Sequence, residues 1–297
     1  MQMTTPNPAR IRSITEKVIG LPTLPTVVSK MIELVDNPRT SAAMLANLIS
    51  TDQALTARIL KMANSAYYGF AREIYTVNMA IVVMGFNAVK EMGLSLSVFD
   101  AFKDLTAVRH FDVTAYWEHS VAVGVAAKLL ARRCRHNLAG EAFVAGLLHD
   151  VGKIVVNQYL RSEFTLIMNR VADKGESLDL AEEMVLGVGH GEIGSWLVDK
   201  WRLPVIKSVG LRYHHEPWKA EPEHRLFVAI ISLADYLVHS CRIGGSGRIG
   251  EPKLDDRLWD IFDSENAPVS TADLDVIRSE FLLEYDKADP ANSFNVH

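Results

Sequence analysis

The sequence predicts an all-α fold, on three observations. Nearly every long segment repeats apolar residues at helical spacing. No stretch alternates with period two between hairpin turns. Proline and glycine fall at the ends of the apolar segments, as at Pro25, Gly85 and Pro217. Taken in order, Val27, Met31, Leu34 and Val35 share one face of a first helix whose opening turn includes Pro25, a position proline favours. Met44, Leu45, Leu48 and Ile49 repeat the pattern, followed by Leu55, Ala57, Ile59, Leu60 and Met62. Residues 80–83 and 88–99 extend it across a break at Gly85 and Asn87. Residues 115–133 read as one long helix and 142–150 as the next. Further helices are expected over 160–172, 178–186, 191–201, 205–213 and 226–239, with a short last one over 273–283. Gly244-Gly245-Ser246-Gly247 reads as a loop.

This order suggests a flexible segment 1–10, an N-terminal helical half 11–105, a second helical half 106–243, a loop and helix 244–285 and a tail 286–297. A chain of 297 residues, 48% apolar and 23% charged, can bury a substantial core as one large or two small domains. The apolar runs fall short of the roughly 18 residues a bilayer span requires. Residues 1–10 are polar and lack the apolar centre of a signal peptide. Two cysteines, Cys134 and Cys241, cannot build a secreted disulfide framework, so a reducing cytoplasm is the expected location. The net charge of −5 argues against a broad nucleic-acid surface, and the cluster Lys128, Arg132, Arg133, Arg135 reads as a solvated helix end.

Five histidines and two aspartates stand apart: His119, His149, Asp150, His190, His214, His215 and Asp235. His119 lies on an apolar helix face with Ala115, Tyr116, Ala122 and Val123, as a hydrogen-bonded core residue or a metal ligand. His149-Asp150 closes an apolar run, where an ionised carboxylate needs a cation or a set of donors. Asp150 could instead cap the segment that begins at Val151. Gly146 and Gly152 beside the pair leave room for other helices and a substrate. His190 opens a helix between Gly189 and Gly191 and could be exposed there. His214-His215 ends another helix before Pro217, as a solvated pair favoured by the helix dipole or as two ligands. Asp235 sits in an apolar helix and requires a basic or metallic partner. Neutral imidazoles and carboxylates suit Fe, Mn, Ni or Zn, and the lack of cysteine argues against a structural zinc site. Seven ligands are too many for one tetrahedral ion but fit two ions sharing an aspartate and a water. His110, His136, His224, His239 and His297 match no position in the set.

The order His, His-Asp, His, His-His, Asp resembles that of the HD superfamily of metal-dependent phosphohydrolases. Leu21-Pro22-Thr23-Leu24-Pro25, Asp52-Gln53-Ala54-Leu55-Thr56, Ala63-Asn64-Ser65-Ala66-Tyr67-Tyr68-Gly69 and residues 80–85 narrow the match. They resemble the HDOD family, bacterial signalling and regulatory domains related to HD and HD-GYP proteins, over residues 19–237. The resemblance implies an HD-superfamily multi-helix bundle with an additional N-terminal helical subdomain. It implies that His119, His149, Asp150 and Asp235 hold one metal, with Asp150 bridging to a second held by His190, His214 and His215. Two divalent transition ions are then expected, Fe or Mn ahead of Ni or Zn. Lys153 stands where HD-GYP proteins place a lysine near substrate phosphate. Pro217-Trp218-Lys219 replaces the Gly-Tyr-Pro loop of cyclic-di-GMP phosphodiesterases, a departure that argues against that activity. Ala115 replaces a carboxylate that some relatives use for a third metal, so two ions are the expected maximum. HDOD domains often lack the metal-binding residues; this chain keeps the full set.

Two functions are therefore expected. One is a metal-dependent phosphohydrolase or phosphodiesterase acting on a nucleotide or cyclic dinucleotide, with Asp150 and Lys153 in catalysis and an ion-activated water as nucleophile. The alternative is a non-catalytic metal- or ligand-sensing regulatory module that acts on a signalling protein in trans. Neither reading involves a membrane or nucleic acid.

Overall fold

The structure, a computed structural model, describes residues 24–35, 39–65, 70, 72–102 and 108–288. Among these the fold is helical throughout, and its one β feature is an isolated antiparallel bridge between Val108 and Phe111. Leu21-Pro22-Thr23, Ala66-Tyr67-Tyr68-Gly69, the segment 1–10 and residues 289–297 lie outside the described residues. No described helix is long and apolar enough to cross a membrane. The described residues divide into two compact units, one within 24–102 together with 279–288 and the other within 108–278.

In the unit within 24–102, helices α1 (Thr26–Val35), α2 (Ala42–Ile49), α3 (Gln53–Ala63), α4 (Val77–Met84) and α5 (Phe86–Ala101) pack together. Their entry points are chemically marked. The Ser41, Asp52 and Thr76 side chains accept the backbone N–H groups of Met44, Leu55 and Met79, so each caps a helix start. Asn64 closes α3: its amide donates to the carbonyls of Leu60 (2.9 Å) and Ile74 (2.8 Å) and accepts the Ile74 N–H (2.7 Å). Asp52 and Asn64 therefore mark the start and the end of α3. Several expectations shift. Pro25 immediately precedes α1 and offers its carbonyl to Val28 and Ser29. Val28 and Met31 are the buried pair there, and Met44 is turned outward while Leu45 and Ile49 are buried. The break falls at Gly85 alone, with Asn87 inside α5.

The other unit is built around α6 (Val113–Arg133), which is buried on nearly every side over residues 119–127 and so forms a central rod. Against it lie α7 (Ala139–Leu148) and α13 (Pro222–Ser240). Then come α8 (Val151–Tyr159), α9 (Arg161–Lys174), α10 (Leu178–Leu186), α11 (His190–Lys200) and α12 (Val205–Tyr213). A 3-10 turn at Pro217–Lys219 and α14 (Arg257–Ser264) complete this side. The last helix, α15 (Leu274–Ala288), starts in this unit and counts with the first from Ser279 on; it extends past the expected end at 283, so the first three residues of the expected tail are helical. Helices α8 and α14 are not among the helices the sequence predicts; each is under ten residues.

Close approach fixes the joint between α8 and α11. A Cβ on Gly152 would overlap the His190 carbonyl oxygen, and one on Gly146 would sit 2.8 Å from the Val123 carbonyl. These glycines admit neighbouring helices, one of the two roles the sequence suggested for them. Substituting Gly152→Ala is expected to lower unfolding free energy by about 1–3 kcal/mol, read from urea denaturation, because backbone must move to admit the methyl.

Candidate metal centre

The chain path brings all seven predicted residues to one place. His119 comes from the middle of α6 and Asp235 from α13. His149 and Asp150 form the joint between α7 and α8. Asp150 adopts φ −100°, ψ 7°, which lets α8 begin at the next residue, and its side chain makes no capping bond. The capping alternative is thus not realised, and the carboxylate points inward at 1% exposure. His190 is the first residue of α11, and His214 and His215 follow α12. His190 and His214 are each 1% exposed, so neither is the solvated histidine its position allowed. His215 is half-buried.

The two Asp150 oxygens divide between two groups of histidines. Oδ1 lies 3.0 Å from His190 Nε2 and 3.7 Å from His214 Nε2, and Oδ2 lies 3.3 Å from His149 Nε2. The second carboxylate, Asp235, places Oδ1 3.0 Å from His119 Nε2 and 3.6 Å from His149 Nε2. One ligand atom from each of Asp150, His190, His214 and His215 falls within a 4.8 Å cluster, and so does one from each of His119, His149 and Asp150. Asp150 belongs to both clusters.

The imidazoles are held from behind. His149 Nδ1 donates to the Gly146 carbonyl at 2.7 Å and His214 Nδ1 to the Leu211 carbonyl at 2.6 Å. A carboxylate missed in the sequence, Glu182 of α10, accepts both the backbone N–H of His190 (2.9 Å) and its Nδ1–H (2.7 Å). It therefore does for α11 what the side-chainless cap Gly189 cannot. With the Nδ1 positions committed, Nε2 is the nitrogen that each of the three rings turns inward. His190 Nε2 then faces His215 Nε2 at 3.1 Å and His214 Nε2 at 3.4 Å. His149 Nε2 and Asp150 Oδ1 are buried without an aligned hydrogen bond. The inward nitrogens of His190 and His214, 3.4 Å apart, are reconciled by a shared proton or a cation, and the donor set is one a divalent transition ion accepts.

The electrostatics agree with that requirement. Burial would raise the Asp150 carboxyl, but His149 and Lys153 override it and hold Asp150 well below the usual carboxylate range. Burial likewise opposes ionisation of Asp235, which the His119 hydrogen bond and the neighbouring His149 and Arg248 charges reverse. His149 is pushed up to about 9: desolvation works against the cation, and the Asp150 and Asp235 carboxylates outweigh it. Burial lowers His214 to about 4, and burial with the neighbouring Arg248 charge drives His215 well down. The last two are thus neutral imidazoles, the form that binds metal.

Two basic side chains border the centre. Lys153, 1% exposed, donates from Nζ to Asp150 Oδ2 at 2.5 Å and to the Ser246 carbonyl at 3.0 Å. Arg248, which carried no motif in the sequence, reaches His215 and Asp235 from the loop after α13. The other residues singled out play structural parts. Lys128 lies over the Phe143 ring and Arg133 pairs with Asp273. Cys134 is buried in the core, and neither cysteine forms a disulfide.

A sequence profile of the HDOD domain matches residues 21–217. An HDOD domain protein of unknown function from Geobacter sulfurreducens has a similar crystal structure, with a TM-score of 0.79 and 26% identity over 96% of this chain and 97% of that one. The crystal structure of a Shewanella amazonensis SB2B protein, named as a proposed phosphohydrolase, matches with a TM-score of 0.74 and 24% identity over 96% and 97% of the two chains. An uncharacterised protein of Treponema pallidum (strain Nichols) is 23% identical over 227 residues, 76% of this chain. The match spans 44% of that relative's length.

Replacing Glu182 by Gln removes the charge that anchors His190 while keeping its shape. Divalent-metal affinity, measured by calorimetric titration with Mn(II), is expected to fall by about 10- to 100-fold with helix content unchanged. Unaltered affinity would show that Glu182 does not orient a ligand.

Proposed function

The chain belongs to the HDOD family, and from that premise and the seven converging side chains we propose that it is a metal-dependent phosphohydrolase of bacterial signalling. Its proposed substrate is a phosphoester in a nucleotide or cyclic dinucleotide. One observation carries the reading: Asp150 presents one oxygen to each of two histidine groups, the arrangement a bridging carboxylate needs. Bound divalent ions would supply Lewis-acid polarisation of the phosphoryl group and a water acidic enough to attack at neutral pH. The residues that would hold them are His119, His149 and Asp235 on one side, and His190, His214 and His215 on the other.

The chain's own groups supply position and charge. The Gly146 and Leu211 carbonyls and the Glu182 carboxylate fix three rings in one tautomer, so the centre loses little conformational freedom when loaded. Lys153 keeps a positive charge at the bridging carboxylate, where it can offset charge growing on phosphate oxygens. The phosphohydrolase name of the Shewanella relative and the fold it shares are consistent with this reading.

A specific observation favours a second reading, a non-catalytic sensing module that works through a protein partner. Both central carboxylates are already paired with protein cations, Asp150 with Lys153 and Asp235 with Arg248. A short 3-10 turn, Pro217–Lys219, also stands where the resemblance placed a Gly-Tyr-Pro loop.

Elemental analysis of the purified chain, followed by assays on generic phosphodiesters, nucleotides and cyclic dinucleotides with added Mn or Fe, separates the two. The proposal expects bound metal with turnover. Asp150→Ala should then lose both ions, and Lys153→Ala should keep them while kcat falls roughly 10²- to 10³-fold. Bound metal with no turnover across these substrates would favour the sensor. Full metal retention in the Asp150 variant would contradict the bridge.

A further inference from the structure

The loop after α13 is built to deliver one side chain. Gly244 (φ 61°) and Gly247 (φ 78°) hold left-handed backbone that other residues rarely adopt. A Cβ on Gly244 would also collide with the Ala115 carbonyl oxygen and the His119 backbone nitrogen. Between them, Gly245 donates its N–H to the Ala115 carbonyl at 2.8 Å, and the Ser246 carbonyl accepts from Lys153 at 3.0 Å. The loop is thus pinned to the helix that carries His119 and to the helix that carries Lys153. The next side chain, Arg248, enters the centre. Its Nη2 lies 2.9 Å from Nδ1 and 2.5 Å from Nε2 of His215, and its Nη1 lies 3.5 Å from Asp235 Oδ2.

We propose that Arg248 is a resident cation that competes with a metal ion for His215, so that the inserted guanidinium and a fully loaded centre exclude one another. The guanidinium is charged at every accessible pH. A guanidinium pressed against both ring nitrogens of His215 obstructs the approach of a metal to them, and a dication a few ångströms away repels it in this poorly screened site. The conflict is unequal. On Asp235 the arginine engages Oδ2, while Oδ1 still faces His119 and His149. The position at His119, His149 and Asp235 therefore stays open to an ion, and the position at His190, His214 and His215 is the contested one.

A displaced arginine has somewhere to go. Its side chain is 25% exposed, its Nη2 is already 3.5 Å from Asp179 Oδ1, and it lines a cavity of about 410 Å³ that Glu251 and Asp255 also border. The inference rests on the metal reading above but not on turnover.

The test is titration of the chelator-stripped full chain with Mn(II), with bound metal counted by elemental analysis and affinity read by calorimetry. The wild-type chain is expected to bind one equivalent tightly and a second weakly. Arg248→Gln should tighten the second by about tenfold or more. Arg248→Lys, which keeps the charge, should stay nearer the wild type. Arg242→Gln, in an exposed arginine paired with Glu251 on the same stretch, should change nothing. Circular dichroism of the metal-free forms confirms that each variant folds. Unchanged or weaker second binding in Arg248→Gln, an equal gain in Arg242→Gln, or two tight equivalents in the wild type would overturn the inference alone. Failure of both the wild type and Arg248→Gln to bind Mn(II) would overturn it together with the metal reading.

Discussion

A carboxylate removed from water must be compensated where it stands, and in this chain that carboxylate is Asp150, 1% exposed at the joint of two helices. The rest of the site follows from meeting that demand. His149 precedes it in sequence, and Lys153 follows one turn later to reach the same oxygen. The other oxygen is met from across the bundle by His190 and His214. Because Gly152 lets α8 press against the first residue of α11, the joint that aims the carboxylate also sets its distance to His190. Fold and centre are therefore one constraint, and neither can shift without the other.

The chemistry of the centre lies in orientation as much as in composition. Each buried ring whose Nδ1 is committed to a carbonyl or to Glu182 has only one nitrogen left to offer. Those nitrogens converge on one another and on Asp150, an arrangement that is unfavourable for neutral rings alone and favourable around a cation. Lys153 and Arg248 supply positive charge at two edges of the same space. The proposed function and the proposed exchange would both turn on how these protein cations balance against metal ions.

Much of this was legible in the sequence, for identifiable reasons. Long apolar helical segments such as residues 113–133 and 222–240 announce themselves through their length and apolar content, and the seven ligand candidates are residue types that are costly in apolar helices. Other parts were hidden. Glu182 sits beside Glu183 on a helix rich in surface acids, and nothing local says that only the former turns inward. Arg248 follows a glycine loop nearly a hundred residues after Asp150, and its destination depends on how that loop is pinned. Asn64 and Asp52 stand in the segments that resemble the family, and their work is to end and begin α3. Short helices such as Val151–Tyr159 give too few turns for a period to stand out.

Diffraction from crystals grown with saturating Mn(II), recorded at the manganese absorption edge, tests the central claim most directly. The account predicts two anomalous peaks flanking the Asp150 carboxylate, one against Oδ1 with His190 and His214, the other against Oδ2 with His149. No peak at the carboxylate, or a single ion touching neither His149 nor His190, would contradict it.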